Sequence, residues 1–210
     1  MKPYDIGKRC LDVVGAGSGL LLVSPLLGVV ALAIVLDSGT PILFRQPRAG
    51  HHGAPFTIYK FRTMRAPRPG EDMLASDGLR LSRLGRFLRA TSLDELPTLW
   101  NVLKGDMSLV GPRPLLLRYV ERYSAFQARR HEVKPGVTGW AQIHGRNALD
   151  WARKFELDVW YVDHRSHRLD LEILAATVLT VFKREGVTHG NASTMPEFWG
   201  SNPPEDAPRP

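Results

Sequence analysis

Two carboxylates, Asp94 and Glu95, stand side by side in SLDELPTLWNVLKGDMSLVGPRP, residues 92–114, ahead of Arg113 between two prolines. On a helix, neighbouring residues project about 100° apart, so the two acids do not share one face. That geometry is poor for sharing a proton and good for dividing labour, with one carboxylate toward a metal and the other toward a substrate. Upstream, Lys60 and Arg62 lie in the extended run FTIYKFRTM and add positive charge in a rigid setting. Acids for a hard cation beside fixed basic groups make a site for a diphosphate with Mg²⁺. Arginine grips phosphate through paired hydrogen bonds, and a proline-restrained backbone loses less entropy on binding. An ionised aspartate beside a metal-bound phosphoryl group is a nucleophile that forms an acyl phosphate. The plainer account of the same acids is a helix start. Thr91 or Ser92 would serve as N-cap, and the helix dipole would favour both acids and Pro97 in the first turn.

The elements that would carry such a site begin with an apolar run. Val13 to Leu36 has no charge over 24 residues. A straight helix of that length is roughly 36 Å long, enough to cross the hydrocarbon core. Ser24 and Pro25 fall at its middle, where proline deletes the bond to the Leu21 carbonyl and leaves two arms of half a bilayer each. Ser24 can partly satisfy a carbonyl freed one turn back. Lys2, Lys8 and Arg9 precede the run, and Arg45, Arg48, Lys60 and Arg62 follow it. Positive charge belongs on the cytoplasmic side, and a single span cannot put both ends there. The expected element is therefore a re-entrant helix bent at Ser24 and Pro25. A simple span and a signal sequence cleaved near Ala31-Leu32-Ala33 compete with it, but the run is long for a signal core and stays apolar beyond that point.

The bulk numbers agree with a folded domain and a modest appendage: 210 residues, 43% hydrophobic and 23% charged. A net charge of +7 calls for an anionic partner, whether nucleic acid, a membrane surface or a phosphorylated substrate. Cys10 is the one cysteine, which excludes an intrachain disulfide. No Cys or His pair has zinc spacing, and His51 and His52 read as solvated turn residues.

Along the chain, PILFRQ and FTIYKFRTM read as two short strands joined by PRAGHHGAP. Residues 66–78 form a polar loop and candidate lid. In LRLSRLGRFLRATS, Arg80, Arg83, Arg86 and Arg89 recur every third residue among apolar positions, the pattern of an interfacial helix or of an ordinary amphipathic one. Residues 115–130 are expected as another amphipathic helix, and VKPGVTGWAQIHGRN as a turn-rich segment with short extended pieces. LDWARKFELDVWYVDHRS is expected as a helix whose Trp151, Phe155, Trp160 and Tyr161 suit either headgroup level or core. Residues 169–186 read as a helix stopping at Gly186, and the end of the chain as a flexible tail. The domain reading is 1–40 membrane helix, 41–190 catalytic domain with interfacial helices, and 191–210 tail.

The chain resembles the small monotopic phosphoglycosyl transferases, bacterial enzymes that initiate glycan assembly on a lipid. The resemblance rests on KRCLDVVGA (8–16), Ser24-Pro25, IYKFRTM (58–64) and TSLDELPTLWNVLKGDMSLVGPRPLL (91–116). It extends through RRHEVKPGVTGWAQIHGRNALDW (129–151) and KFELDVWYVDHRS (154–166), covering most of residues 5–190. It implies an α+β, mostly helical fold with a re-entrant membrane helix, interfacial helices and a small β element, on the cytoplasmic face of the bacterial inner membrane. The implied reaction takes a UDP-sugar and undecaprenyl phosphate, releases UMP and leaves an undecaprenyl-diphosphate sugar. Asp94 matches the family nucleophile, which carries the phosphosugar covalently, and Glu95 the acid associated with Mg²⁺. Lys60, Arg62 and Arg113, with Arg146 and Asn147 of HGRNA (144–148), fall in motifs assigned to substrate and phosphate binding. HGRNA resembles the NGRNA of members handling N,N′-diacetylbacillosamine, though His144 departs from it and a plain turn is the alternative. Galactose, glucose or an N-acetylhexosamine phosphate are the other sugars. Membrane lipids are expected partners, nucleic acid is not, and a homo-oligomer stays open. A nucleic-acid-binding protein on a membrane tether would bind nucleic acid salt-sensitively and give Asp94 and Glu95 no role. A non-catalytic scaffold would tolerate Asp94→Asn.

Overall fold

The computed structural model describes residues 3–65, 80–145, 149–183 and 197–200. The candidate lid at 66–78, Arg146, Asn147, the expected stop at Gly186 and most of the tail lie outside the described residues. Helix α1 (Pro3–Ser38) is followed by the strands β1 (Leu43–Ala49) and β2 (Pro55–Phe61), then α2 (Arg83–Ala90). A 3₁₀ turn, Leu93–Thr98, leads directly into α3 (Leu99–Lys104), and β3 (Ser108–Val110) comes next. Two further 3₁₀ turns, Leu117–Arg122 and Arg129–Glu132, flank α4 (Ala125–Ala128). The described chain continues through β4 (Gly136–Thr138), α5 (Trp140–Ile143), α6 (Trp151–His164) and α7 (His167–Lys183). The strands form an antiparallel β1–β2 hairpin and a short parallel pair, β3–β4. The protein is thus mostly helical with a small β component.

Helix α1 continues through Pro25, and Ser24 Oγ donates to the Leu21 carbonyl at 2.8 Å, the acceptor that proline leaves without its usual donor. Both ends of α1 grip the same body. Near its start, Tyr4 and Lys8 each reach Asp170 of α7 at 2.9 Å. Arg9 donates to the Val102 and Leu103 carbonyls at the end of α3, where a cation suits the helix dipole. Asp12, buried, accepts from Ser108 Oγ and the Leu109 amide of β3. Near its other end, Val30 and Ile34 pack with Phe61 and Leu88. Between these anchors Leu21 and Leu22 are 78% and 82% exposed. The most apolar window of α1 has a mean hydropathy of 2.7 and is only 11% buried, so it is no soluble-core helix.

The single helix expected over 115–130 is instead broken into three turns. Leu116 and Tyr123 are extended, and Leu115 is used otherwise, its carbonyl accepting the Ala49 amide of β1 at 3.1 Å. Ser124 then starts a new turn with a reciprocal capping box to Gln127. Of the α6 aromatics, Phe155 and Tyr161 are core residues at 1% exposure, while Trp160 is exposed and stacks on Trp140. In the segment read as tail, Phe198 is buried against Tyr119, Tyr123, Trp151 and Phe155, and Glu197 pairs with Arg118 and Arg122.

Candidate active site

The acids are placed by side chains that imitate a third strand. On the β2 edge away from β1, Asn101 donates to the Thr57 carbonyl at 2.7 Å and accepts the Tyr59 amide at 3.1 Å. Thr98 donates to the Tyr59 carbonyl at 3.0 Å. Asn101 and Thr98 are fully buried, so these bonds replace water that cannot reach the edge. They hold the acid-bearing 3₁₀ turn against β2, beside Lys60.

The expected N-cap is absent. Ser92 occupies the cap position in a left-handed conformation (φ 57°) without a side-chain bond, and Thr91 donates backward to the Phe87 and Leu88 carbonyls of α2. Thr91 therefore closes one helix instead of opening the next. Asp94 and Glu95 ride a 3₁₀ turn, where successive residues diverge by about 120°, so their carboxylates face different surroundings.

Glu95 is gripped from two sides. Lys60 Nζ lies 2.5 Å from Oε1, and Arg113 reaches Oε1 at 2.6 Å and Oε2 at 3.4 Å. Burial alone would raise its pKa, but the charges of Arg113 and Lys60 hold it well below the usual carboxylate range. Burial pushes Lys60 down, against Glu95, which holds it up. Asp94 has the opposite fate. Among the described residues no donor reaches it, and burial, then the negative charge of Glu95, push its pKa up to about 6. Lys60, Arg89 and Arg113 oppose that shift without cancelling it.

Arg113 is fixed through its backbone. Gly111 precedes it at a crossing of β3 and β4 so close that a Cβ there would stand 2.4 Å from the Lys134 carbonyl oxygen. The Gly136 amide donates to the Pro112 carbonyl at 2.9 Å. Behind the loop, Arg130 donates to the Arg113 carbonyl and is ion-paired to Asp158, both side chains 1–2% exposed.

Lys60, Glu95 and Arg113 line one small cavity with Arg48, Ile58, Thr98 and Met107. Arg62 does not join them. Its guanidinium donates to the Ser38, Gly39 and Thr40 carbonyls, closing the C-terminal end of α1. Two residues not singled out from sequence as site residues bear on the cluster. Arg89, read as part of a basic helix face, donates to Thr63 Oγ1 and lowers the Asp94 pKa. Lys154, buried on α6 with its Nζ 5.0 Å from the Trp151 ring, is pushed down to about 8 by burial and then by Arg113. Its i,i+4 spacing to Asp158 on an otherwise apolar helix face was the available signal. His51 and His52 are exposed.

Among the described residues no third His, Cys, Asp or Glu joins the two acids. Asp94, with no donor among the described residues, has oxygens to offer an ion such as Mg²⁺, which takes one or two carboxylates, keeps waters and draws its other ligands from substrate phosphates, while both Glu95 oxygens already meet Lys60 or Arg113.

The fold combines a long apolar helix with a compact cluster of acids and cations. The sequence matches the bacterial sugar transferase family over residues 3–184, and the chain belongs to that family. It is 53% identical over 194 residues to an uncharacterised sugar transferase, EpsL, of Bacillus subtilis, covering 92% of this chain and 96% of that one. It is 45% identical over 184 residues to a UDP-glucose:undecaprenyl-phosphate glucose-1-phosphate transferase of Caulobacter vibrioides, covering 83% of this chain and 69% of that one. With the UDP-N-acetylgalactosamine-undecaprenyl-phosphate N-acetylgalactosaminephosphotransferase of Aeromonas hydrophila it shares 39% identity over 186 residues, 85% of this chain and 44% of that one.

Proposed function

We propose that the chain transfers a sugar 1-phosphate from a UDP-sugar to undecaprenyl phosphate, by two displacements at Asp94. An Asp94 carboxylate oxygen attacks the sugar-bearing phosphorus, the phosphoanhydride bond breaks, and UMP leaves with the bridging oxygen. The acyl phosphate is then attacked by a phosphate oxygen of the lipid, which takes the phosphosugar and returns the carboxylate. The observation that carries this reading is the contrast between adjacent acids: Asp94 without a donor among the described residues, Glu95 locked to Lys60 and Arg113. A carboxylate without donors keeps its lone pairs for attack, and the neighbouring cations stabilise charge on the phosphoryl oxygens. Mg²⁺, held by Glu95 and Asp94, would supply further neutralisation of the diphosphate. Phosphate binding falls to Lys60 and Arg113, with Arg146 and Asn147 as further substrate contacts.

The membrane arrangement proposed is monotopic, with α1 entering and leaving the cytoplasmic leaflet around Ser24 and Pro25. It is supported by anchors at both ends of α1 on one body, through Asp170 at one end and Arg62 at the other, with exposed leucines between. Labelling of Cys10 and of a cysteine placed at Gly39 from the cytoplasmic side alone tests it. Protection of either one overturns it.

Mass spectrometry after incubation with donor alone tests the chemistry. The Asp94 peptide gains one phosphosugar, and Asp94→Asn gains none and releases no UMP. Turnover without an adduct, or near-normal UMP release by Asp94→Asn, overturns it. The same assay across a panel of donors identifies the sugar. N,N′-diacetylbacillosamine is expected from HGRNA, while glucose and N-acetylgalactosamine are the sugars named for the relatives.

A further inference from the structure

In the β1–β2 register Arg48 stands opposite Phe56, Gln46 opposite Ile58 and Phe44 opposite Lys60. Directly paired residues share a face of the hairpin, so Arg48 and Lys60 leave it on the same side with Ile58 between them. That side is one wall of the cavity whose other wall includes Glu95, Arg113 and Pro114. Arg48 is pinned there by its own backbone. It bridges to Leu116, and the next amide, that of Ala49, donates to the Leu115 carbonyl, so β1 is tied to the segment leaving the Pro-Arg-Pro turn.

Three cations therefore line the cavity against one carboxylate. Glu95 pairs with Lys60 and Arg113, and among the described residues Arg48 has no acid partner. Among the described residues Arg48 Nη2 donates to the neutral Gln46 Oε1, and its Nε is buried with no acceptor. A buried donor without an acceptor is costly, so an occupant offering oxygen lone pairs is favoured there. Burial, then the positive charge of Arg113, push the Arg48 pKa down to about 10, as a surplus of unneutralised cations would. The wall includes Glu95, the sequence neighbour of Asp94.

We infer that Arg48 binds a phosphoryl oxygen in this cavity, as a third cation with Lys60 and Arg113. The inference rests on the transferase reading above. The phosphoryl group comes from the donor diphosphate or from the lipid phosphate, and kinetics separate the two.

Inorganic pyrophosphate is the direct probe, with binding measured on full-length protein in detergent and on Asp94→Asn, where chemistry plays no part. Arg48→Gln is expected to weaken pyrophosphate binding about tenfold or more, and Arg48→Lys, which keeps charge but loses the fork, by roughly threefold. If the donor diphosphate is the ligand, Arg48→Gln raises the KM for the UDP-sugar and slows adduct formation with donor alone. If the lipid phosphate is the ligand, the adduct forms at the normal rate and its transfer to acceptor slows. Should Arg48→Gln unfold, Arg48→Lys carries the test, since it keeps the contact with Gln46. Unchanged pyrophosphate affinity in every variant that keeps the wild-type Tm overturns the inference and leaves Arg48 a strand-bracing residue. A missing adduct on Asp94 with weakened pyrophosphate binding in Arg48→Gln would sink the nucleophile and leave the Arg48 site standing.

Discussion

Arg130 Nη2 lies 2.7 Å from the main-chain carbonyl oxygen of Arg113 and 2.7 Å from Asp158 Oδ2, so one buried nitrogen ties α6 to the loop that meets Glu95. Removing the acid strands a buried guanidinium. Asp158→Ala is expected to destabilise the protein by about 3–5 kcal/mol, the usual cost of breaking a buried pair, read as a lower Tm. Asp158→Asn keeps the shape but not the charge. It is expected to lower kcat at temperatures where the variant stays folded, because the Arg113 backbone loses its brace. An Asp158→Ala variant as stable as the wild type would remove the pair from this role.

The contrast between the two acids makes the pH profile diagnostic. As the proposed nucleophile Asp94 must be ionised to attack, and its ionised fraction in the free protein falls as pH drops through about 6, so kcat/KM should fall on that acid limb. Glu95 raises the Asp94 pKa by its charge. Glu95→Gln is therefore expected to shift the limb to lower pH while lowering kcat, since Lys60 and Arg113 lose their partner. A limb that stays in place separates the two groups electrostatically.

The same raised pKa makes Asp94 a stability liability. In the unfolded chain its carboxyl ionises near 3.8, in the folded one near 6, so stability is lost as pH rises through that window. Above it, the charged form opposes folding by on the order of 1–3 kcal/mol. Asp94→Asn should raise Tm at pH 8 and change it little at pH 3, where both states hold the proton. An Asp94→Asn Tm at or below wild type at pH 8 would contradict a strained carboxylate.

Arg62 separates a structural from a substrate role. Its bonds to the carbonyl of Ser38, the last residue of α1, and to that of Thr40 just beyond predict that Arg62→Ala lowers stability by roughly 1–3 kcal/mol while leaving the KM for donor near wild type. A tenfold or greater rise in KM at unchanged Tm would return Arg62 to the phosphate site.

Excess chelator should stop UMP release and added Mg²⁺ should restore it. Full activity in chelator removes the metal role from Glu95 and Asp94.

Much of the site's chemistry was visible along the chain because it resides in local residue types. Adjacent Asp94 and Glu95, Arg113 between prolines and the charge-free run through Ser24-Pro25 are all patterns within one short window. Strand periodicity likewise located β1 and β2, since alternation and turn residues act over neighbours. The helix expected at 115–130 failed because its backbone had a better use elsewhere: Leu115 pairs with β1, a contact across 66 positions that no window contains. Arg62 and Arg113 look equivalent in sequence, each a basic residue in a rigid setting. Packing separates them, because Arg62 meets the carbonyl end of α1 while Arg113 meets Glu95. Arg48 and Arg89 carried no local mark of the site, and Lys154 only its i,i+4 spacing to Asp158. Charge is a property of a side chain, but whether a charge is neutralised, buried or left wanting depends on what the fold brings within a few ångströms, and that is settled only by contacts between distant segments.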